Sequence, residues 1–263
     1  SASLVGSEMC IRDRYTRVFT CHQPWIRWMT YYDHGDIQKI MRNDFDHGLM
    51  NEDQASIMLP RQCEYLYDLH DDKWEMVNLA DNPRYAKILE KFRNKMLNHI
   101  LETKDAHFIP EYSYSQYSDQ YIPYTLRQNE SIYPVEKVLE TAMLCGMGKS
   151  VIPEQISLLD SGNDIVEYWA ALGLFTSRAY LSDFKKELYS KLDKISYPPA
   201  QLYLAGALYD CMDYSKAKKI LEKGMLSPDV NVNKETMQIL LNIDLKKAQD
   251  ILPAVHKHIE LYK

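Results

Sequence analysis

The sequence predicts an α+β fold: a small antiparallel sheet with one long helix, followed by an all-α array of paired helices. Three observations predict it. YTRVFT (15–20) and EYLYDL (64–69) alternate and favour extended backbone. Residues 85–103 place Tyr85, Ile88, Leu89, Phe92, Met96 and Ile100 at helical spacings of three and four. Beyond Tyr133, short helical units resemble one another at a spacing in the mid-thirties.

In chain order, LVGSEMCIRD (4–13) is what the end of a common transposon-based sequencing adapter encodes. Residues 1–14 are therefore read as a non-native scar, Cys10 leaves every functional argument, and the natural protein is expected to begin upstream of Tyr15. HQPWIRWMTYY (22–32) is aromatic, broken by Pro24, and reads as a loop packed over something. DIQKIMRNDF (36–45) and NEDQASIML (51–59) read as short helices, the second capped by Asn51. Asp81-Asn82-Pro83 offers an acceptor at a cap and Pro at the first helical position, which starts the long helix. The stretch FIPEYSYSQYSDQYIPYTLRQ is rich in Tyr, Ser and Pro and reads as an ordered linker, because its tyrosines have apolar area to bury.

In the helical part, WAALGL (169–174) and AGALYD (205–210) superpose Ala171 on Ala207, and ETMQILLNI (235–243) continues the series. Partner helices are expected at 183–192, 214–225 and 247–259. Ala170, Ala171, Gly173, Ala205, Gly206 and Ala207 permit close approach of helices. Four pairs fit between Pro134 and Lys263, an α-solenoid pattern of the HEAT type. The expected domains are thus 15–110, a linker at 111–133, and a HEAT-like array at 134–263.

Composition excludes several classes. The chain has 263 residues, a formal charge of -6 and 46% hydrophobic residues, an ordinary globular balance without the basic excess of a nucleic-acid surface. No apolar run is long enough to span a membrane. Five cysteines without C-x-x-C fix neither a zinc site nor a redox compartment.

Candidate chemistry is sparse. GMGKS (146–150) lacks the first glycine and the preceding strand of a P-loop, and reads as a turn between helices. His256 and His258, two apart, point away from each other on a helix. His34, Asp36, Asp44, Asp46 and His47 lack a ligand spacing, so solvated surface is the reading. Asp68, Asp71, Asp72 and Glu75 could serve as paired carboxylates for acid–base work, but four acids in one polar turn more often cap backbone. His22, Trp25 and Trp28 beside a strand end could line a pocket, with packing against another domain as the competing reading.

One run carries a family resemblance. Glu64, Leu66, Tyr67, Asp68, Leu69, Asp72, Glu75, Asn78, Leu79, Ala80, Pro83 and Tyr85 spell E-x-L-Y-D-L-x-x-D-x-x-E-x-x-N-L-A-x-x-P-x-Y, which resembles the closing segment of the sulfatase family. His22-Gln23-Pro24 after a strand, LMNEDQASIMLPRQ (49–62) and ETKDAHFIPE (102–111) resemble bacterial members of its heparan N-sulfatase (N-sulfoglucosamine sulfohydrolase) branch, which often carry a helical-repeat extension entered as at Ile122-Pro123-Tyr124 and Tyr133-Pro134. The resemblance implies hydrolysis of sulfate esters or sulfamates of sulfated glycans, using a formylglycine made within C/S-x-P/A-x-R beside a calcium ion. It also implies export to the periplasm or beyond. None of the cysteines here begins that motif, so catalytic and metal residues are expected in an N-terminal catalytic domain outside this chain, and the fragment alone is expected to be inactive. The family's closing subdomain forms one wall of the substrate cleft, for which His22, Gln23, Trp25 and Arg27 are the candidates. The competing reading is a stand-alone α-solenoid interaction module.

Overall fold

The computed structural model describes residues 5–9, 13–27, 29–253 and 256. An antiparallel sheet in the order β1 (Val5–Met9), β2 (Asp13–Val18) and β3 (Glu64–Asp68) opens the fold. Central Tyr15 faces Glu8 on one side and Leu66 on the other. The segment read as a scar thus supplies the edge strand. Pairing uses main-chain N–H and C=O groups, so an extended segment can occupy an open edge whatever its side chains. Both faces of β2 are covered, with Tyr15, Thr16, Arg17 and Val18 all buried.

Between β2 and β3 the chain makes an excursion. It leaves at Cys21 and returns at Cys63, and its neck is closed by main-chain bonds from Arg61 N–H to Cys21 O and from Val18 N–H to Cys63 O, both 2.8 Å. The excursion holds α1 (Ile37–Asp46) and α2 (Glu52–Ser56). Asn51 caps α2 in a reciprocal box with Gln54, so the helix starts as expected; it stops three residues short of the expected end.

After β3, a single 3-10 turn (Pro83–Tyr85) leads into α3 (Ala86–Thr103). Asn82, rather than Asp81, caps it by accepting from Arg84 N–H. Leu89, Phe92, Met96 and Ile100 form its buried stripe, whereas Ile88 lies off that stripe and is exposed. Lys104, at φ 46°, ends the helix in the left-handed region.

The linker contains α4 (Glu111–Gln116) and α5 (Pro123–Leu126). Among the described residues eight further α-helices follow: α6 (Val135–Met143), α7 (Ile152–Leu158), α8 (Asp164–Thr176), α9 (Lys185–Leu192), α10 (Pro198–Met212), α11 (Ser215–Met225), α12 (Val230–Leu240) and α13 (Leu245–Gln249). The first members of successive pairs stack, α6 on α8, α8 on α10, and α10 on α12. At Gly206 of α10 a Cβ would collide with Ile239 of α12 and crowd Phe175 of α8, so the small residue sets that spacing. Helix α12 begins five residues before its expected start, because Asp229 caps it by accepting from Asn231 and Val232 N–H. The expected helix at 247–259 lies partly outside the described residues, and α13 accounts for its opening turns.

One continuous hydrophobic core runs from Tyr15 to Ile251, joining sheet, linker and helices. Fully buried Arg17 is the bolt between them. Its guanidinium donates to Met143 O and Cys145 O at the end of α6 and to Cys63 O beside β3, at 2.8–2.9 Å. It therefore satisfies helix-end carbonyls that lack partners within α6.

Candidate functional site

The run from Glu64 to Tyr85 folds as strand, turn and helix start, tied by Asn78. Its Oδ1 accepts from Leu66 N–H (2.9 Å) and Ala80 N–H (3.1 Å), while its Nδ2 donates to Glu64 O and to the Gln62 side chain. Leu79 N–H adds a bond to Leu66 O. Glu64 accepts a forked pair from Arg93 of α3 and a third bond from Tyr15 OH. Burial alone would raise this carboxyl, but the Arg93 fork and the Tyr15 hydroxyl outweigh it and hold it below the ordinary range. Asp68 accepts from His70 N–H, and Asp72 accepts from Val77 N–H and is lowered by such backbone donors. Glu75 pairs with Arg14. Asp71 Oδ1 lies 2.6 Å from His70 Nδ1, so each of the four acids is engaged by backbone or by a neighbouring side chain.

The four residues expected on a cleft wall fall into two settings. His22 and Gln23 are buried. The His22 ring meets Phe175 and Tyr203 edge-on, at 5.2 and 6.2 Å. Burial first, then the cations of Arg178, Arg61 and Arg27, pushes its pKa down to about 3, so it stays neutral. Trp25 is exposed, lies under the Arg61 guanidinium and leans on Tyr65. Half-buried Arg27 donates to Gln23 Oε1 at 3.0 Å. Trp28 lies outside the described residues, as does His258.

The other candidates take ordinary places. GMGKS follows helix α6, not a strand, and Lys149 pairs with Asp183. Among the described residues no group of three or more His, Cys, Asp or Glu could hold a metal ion.

A cavity of about 530 Å³ opens where the sheet end, the linker and the array meet. Gln23 and Phe108 line it from one side; Trp169 of α8, Tyr203 of α10 and Glu235 of α12 line it from the other. Trp169 Nε1–H donates to Phe108 O (2.8 Å), which fixes the indole. The Glu235 carboxyl shares this lining with Tyr203, whose ring packs edge-on against Tyr168 at 5.5 Å. Burial, reinforced by the nearby Glu111 carboxylate and only partly offset by Tyr203, pushes Glu235 up to about 7. Sequence reading missed Glu235, which stands at the start of the expected ETMQILLNI helix; the cap at Asp229 would have moved it inside the helix, next to buried Thr236.

No protein-family model, curated protein or solved structure matches this chain.

Proposed function

We propose that the chain is the closing portion of a sulfatase-type hydrolase of the heparan N-sulfatase kind, followed by a HEAT-like helical extension. The parent enzyme would act on sulfate esters or sulfamates of sulfated glycans, with formylglycine and calcium supplied by an N-terminal catalytic domain and with an exported location. The observation that carries this reading is the Asn78 knot. In the run that resembles the family, Glu64, Leu66, Asp72, Asn78, Leu79 and Ala80 serve as one another's hydrogen-bond partners or as caps for the local backbone. Such mutual dependence gives the spacing of the motif a physical reason without any role in chemistry.

A second observation supports a docked catalytic domain over a stand-alone interaction module. Tyr31, Ile37, Leu49 and Trp74 are 70–86% exposed, all within the unit that resembles the closing subdomain. Large apolar side chains left this open are what a neighbouring domain would cover.

The reading frame upstream of the Tyr15 codon is expected to continue and to encode C/S-x-P/A-x-R. The purified chain is expected to hydrolyse neither a chromogenic aryl sulfate nor N-sulfoglucosamine. A stop and a start codon immediately upstream would favour the interaction module, and turnover above a mock preparation would refute the assignment of the chemistry to another domain.

A further inference from the structure

Three of the four described cysteines converge where the sheet meets α6. Cys21 lies in the turn after β2, Cys63 precedes β3, and Cys145 follows α6. Gly146, at φ 75°, makes room for them: a Cβ there would collide with the sulfurs of both Cys63 and Cys21. That Cβ position lies within 2.6 Å of both the Cys63 sulfur and the Cys21 sulfur, so the two sulfurs are neighbours. Cys145 is fully buried and donates weakly to Trp169 O instead. Cys63 is half-buried, so of the three it has the best access to solvent.

The charge around the pair is one-sided. Arg17 is fully buried, its bonds described above run to carbonyls, and it also reaches the Cys63 side chain. Glu64, the carboxylate beside Cys63, is already engaged by the Arg93 fork. Arg61, whose main-chain N–H bonds Cys21 O, is a second cation near the pair. A buried cation with carbonyl partners favours an anion beside it.

We propose that Cys21 and Cys63 form an oxidisable pair, in which Cys63 reacts with a hydroperoxide and Cys21 resolves the product to a disulfide across the neck of the 22–62 excursion. In the first step the Cys63 thiolate attacks the peroxide oxygen, the O–O bond breaks, and the alkoxide leaves as an alcohol after taking a proton; Cys63 becomes a sulfenic acid. In the second, the Cys21 sulfur attacks the sulfenic sulfur, and water leaves with the proton of Cys21. Two thiols are oxidised and one peroxide is reduced.

The chemistry of the two sulfurs supports this order. The neighbouring Cys21 thiol lowers the Cys63 pKa despite burial, and the Arg17 cation adds to the effect; the Cys63 sulfur, then burial, raises Cys21. Protonated Cys63 has an alternative acceptor, Gly146 O at 3.2 Å, so reactivity depends on pH. Cys145 and Cys211 are raised by burial, to about 12 and about 11. The disulfide would lock the two chain segments already joined by Arg61 N–H to Cys21 O. The lock falls immediately before His22, Gln23, Trp25 and Arg27.

The test uses the full chain carrying Cys10→Ser, reduced, desalted and treated with hydrogen peroxide, then alkylated under denaturing conditions and mapped by mass spectrometry. The expected result is a cross-linked Cys21–Cys63 peptide pair, with Cys145 and Cys211 recovered as alkylated thiols. Loss of the Cys63 thiol should be about tenfold faster than loss of either of those two and should persist below the pH range of an ordinary thiol. In Cys21→Ser, dimedone should label Cys63 as a trapped sulfenic acid. Recovery of Cys21 and Cys63 as free thiols while Cys211 is oxidised would overturn the proposal, as would a Cys21–Cys145 bond. The mapping needs no cluster variant, so misfolding of Cys21→Ser leaves it decisive.

Discussion

Glu235 and His22 both neighbour Tyr203, and burial treats them oppositely. Burial raises the carboxyl to about 7 and lowers the imidazole to about 3. For a carboxyl raised above its unfolded value, the folded state binds the extra proton between the two values. Stability from Glu235 is therefore present at acid pH and is lost as pH climbs from about 4.5 through about 7. Glu235→Gln removes the ionisable group, so it should stabilise the protein at pH 8, by up to about 3 kcal/mol, and leave it little changed at pH 5. Denaturant midpoints at the two pH values check this; an equal shift at both would show that Glu235 titrates normally. His22 was legible as a residue beside a strand end, and packing was the competing reading to a pocket wall. Glu235 was not legible, because its environment comes from Tyr203 and Glu111, more than thirty residues and more than a hundred residues away in sequence. Arg17 was hidden in the same way: within YTRVFT it is one alternating position, and only the fold brings the end of α6 to it.

At the scale of elements, periodicity and caps were legible wherever one segment holds its own signal. Asn51, Pro83 and the stripe from Leu89 to Ile100 act within a few residues of one another, and the structure places α2 and α3 accordingly. Asp229 carried an equally local signal, and its neglect shifted α12. The turn after β3 is the element whose failure would be most informative. Asn78→Ala leaves two backbone N–H groups and one carbonyl in this turn without their partners, which should cost about 2–4 kcal/mol. Asn78→Asp keeps the acceptor for Leu66 and Ala80 but loses the donors, so it should cost less. Thermal or chemical denaturation of the two variants decides; a change below about 0.5 kcal/mol in Asn78→Ala would mean that the knot is incidental.

At the scale of the molecule, the boundaries read from composition at 110 and 133 do not interrupt the core, which passes without a break from Tyr15 to Ile251. Phe19 and Phe108 of the expected first domain and Trp169 of the array touch as a ring cluster with centroids 4.9–6.2 Å apart. Sheet and array should therefore melt together: far-ultraviolet circular dichroism and tryptophan fluorescence should give coincident transitions, and two separated steps would show independent units. That fusion was illegible because tyrosine-rich linkers and apolar faces do not say which partner they meet. The route of the linker has one more consequence. Its residues run past the leading ends of three array helices in turn: Ser131 and Ile132 meet Asn163 before α8, Ser113 meets Tyr197 before α10, and Ser115 meets Asn231 of α12. The row of helix ends that a free array could offer to an extended peptide is filled in cis. The chain acts as its own tethered ligand, and any outside peptide would compete against a segment held at high effective concentration by covalent attachment.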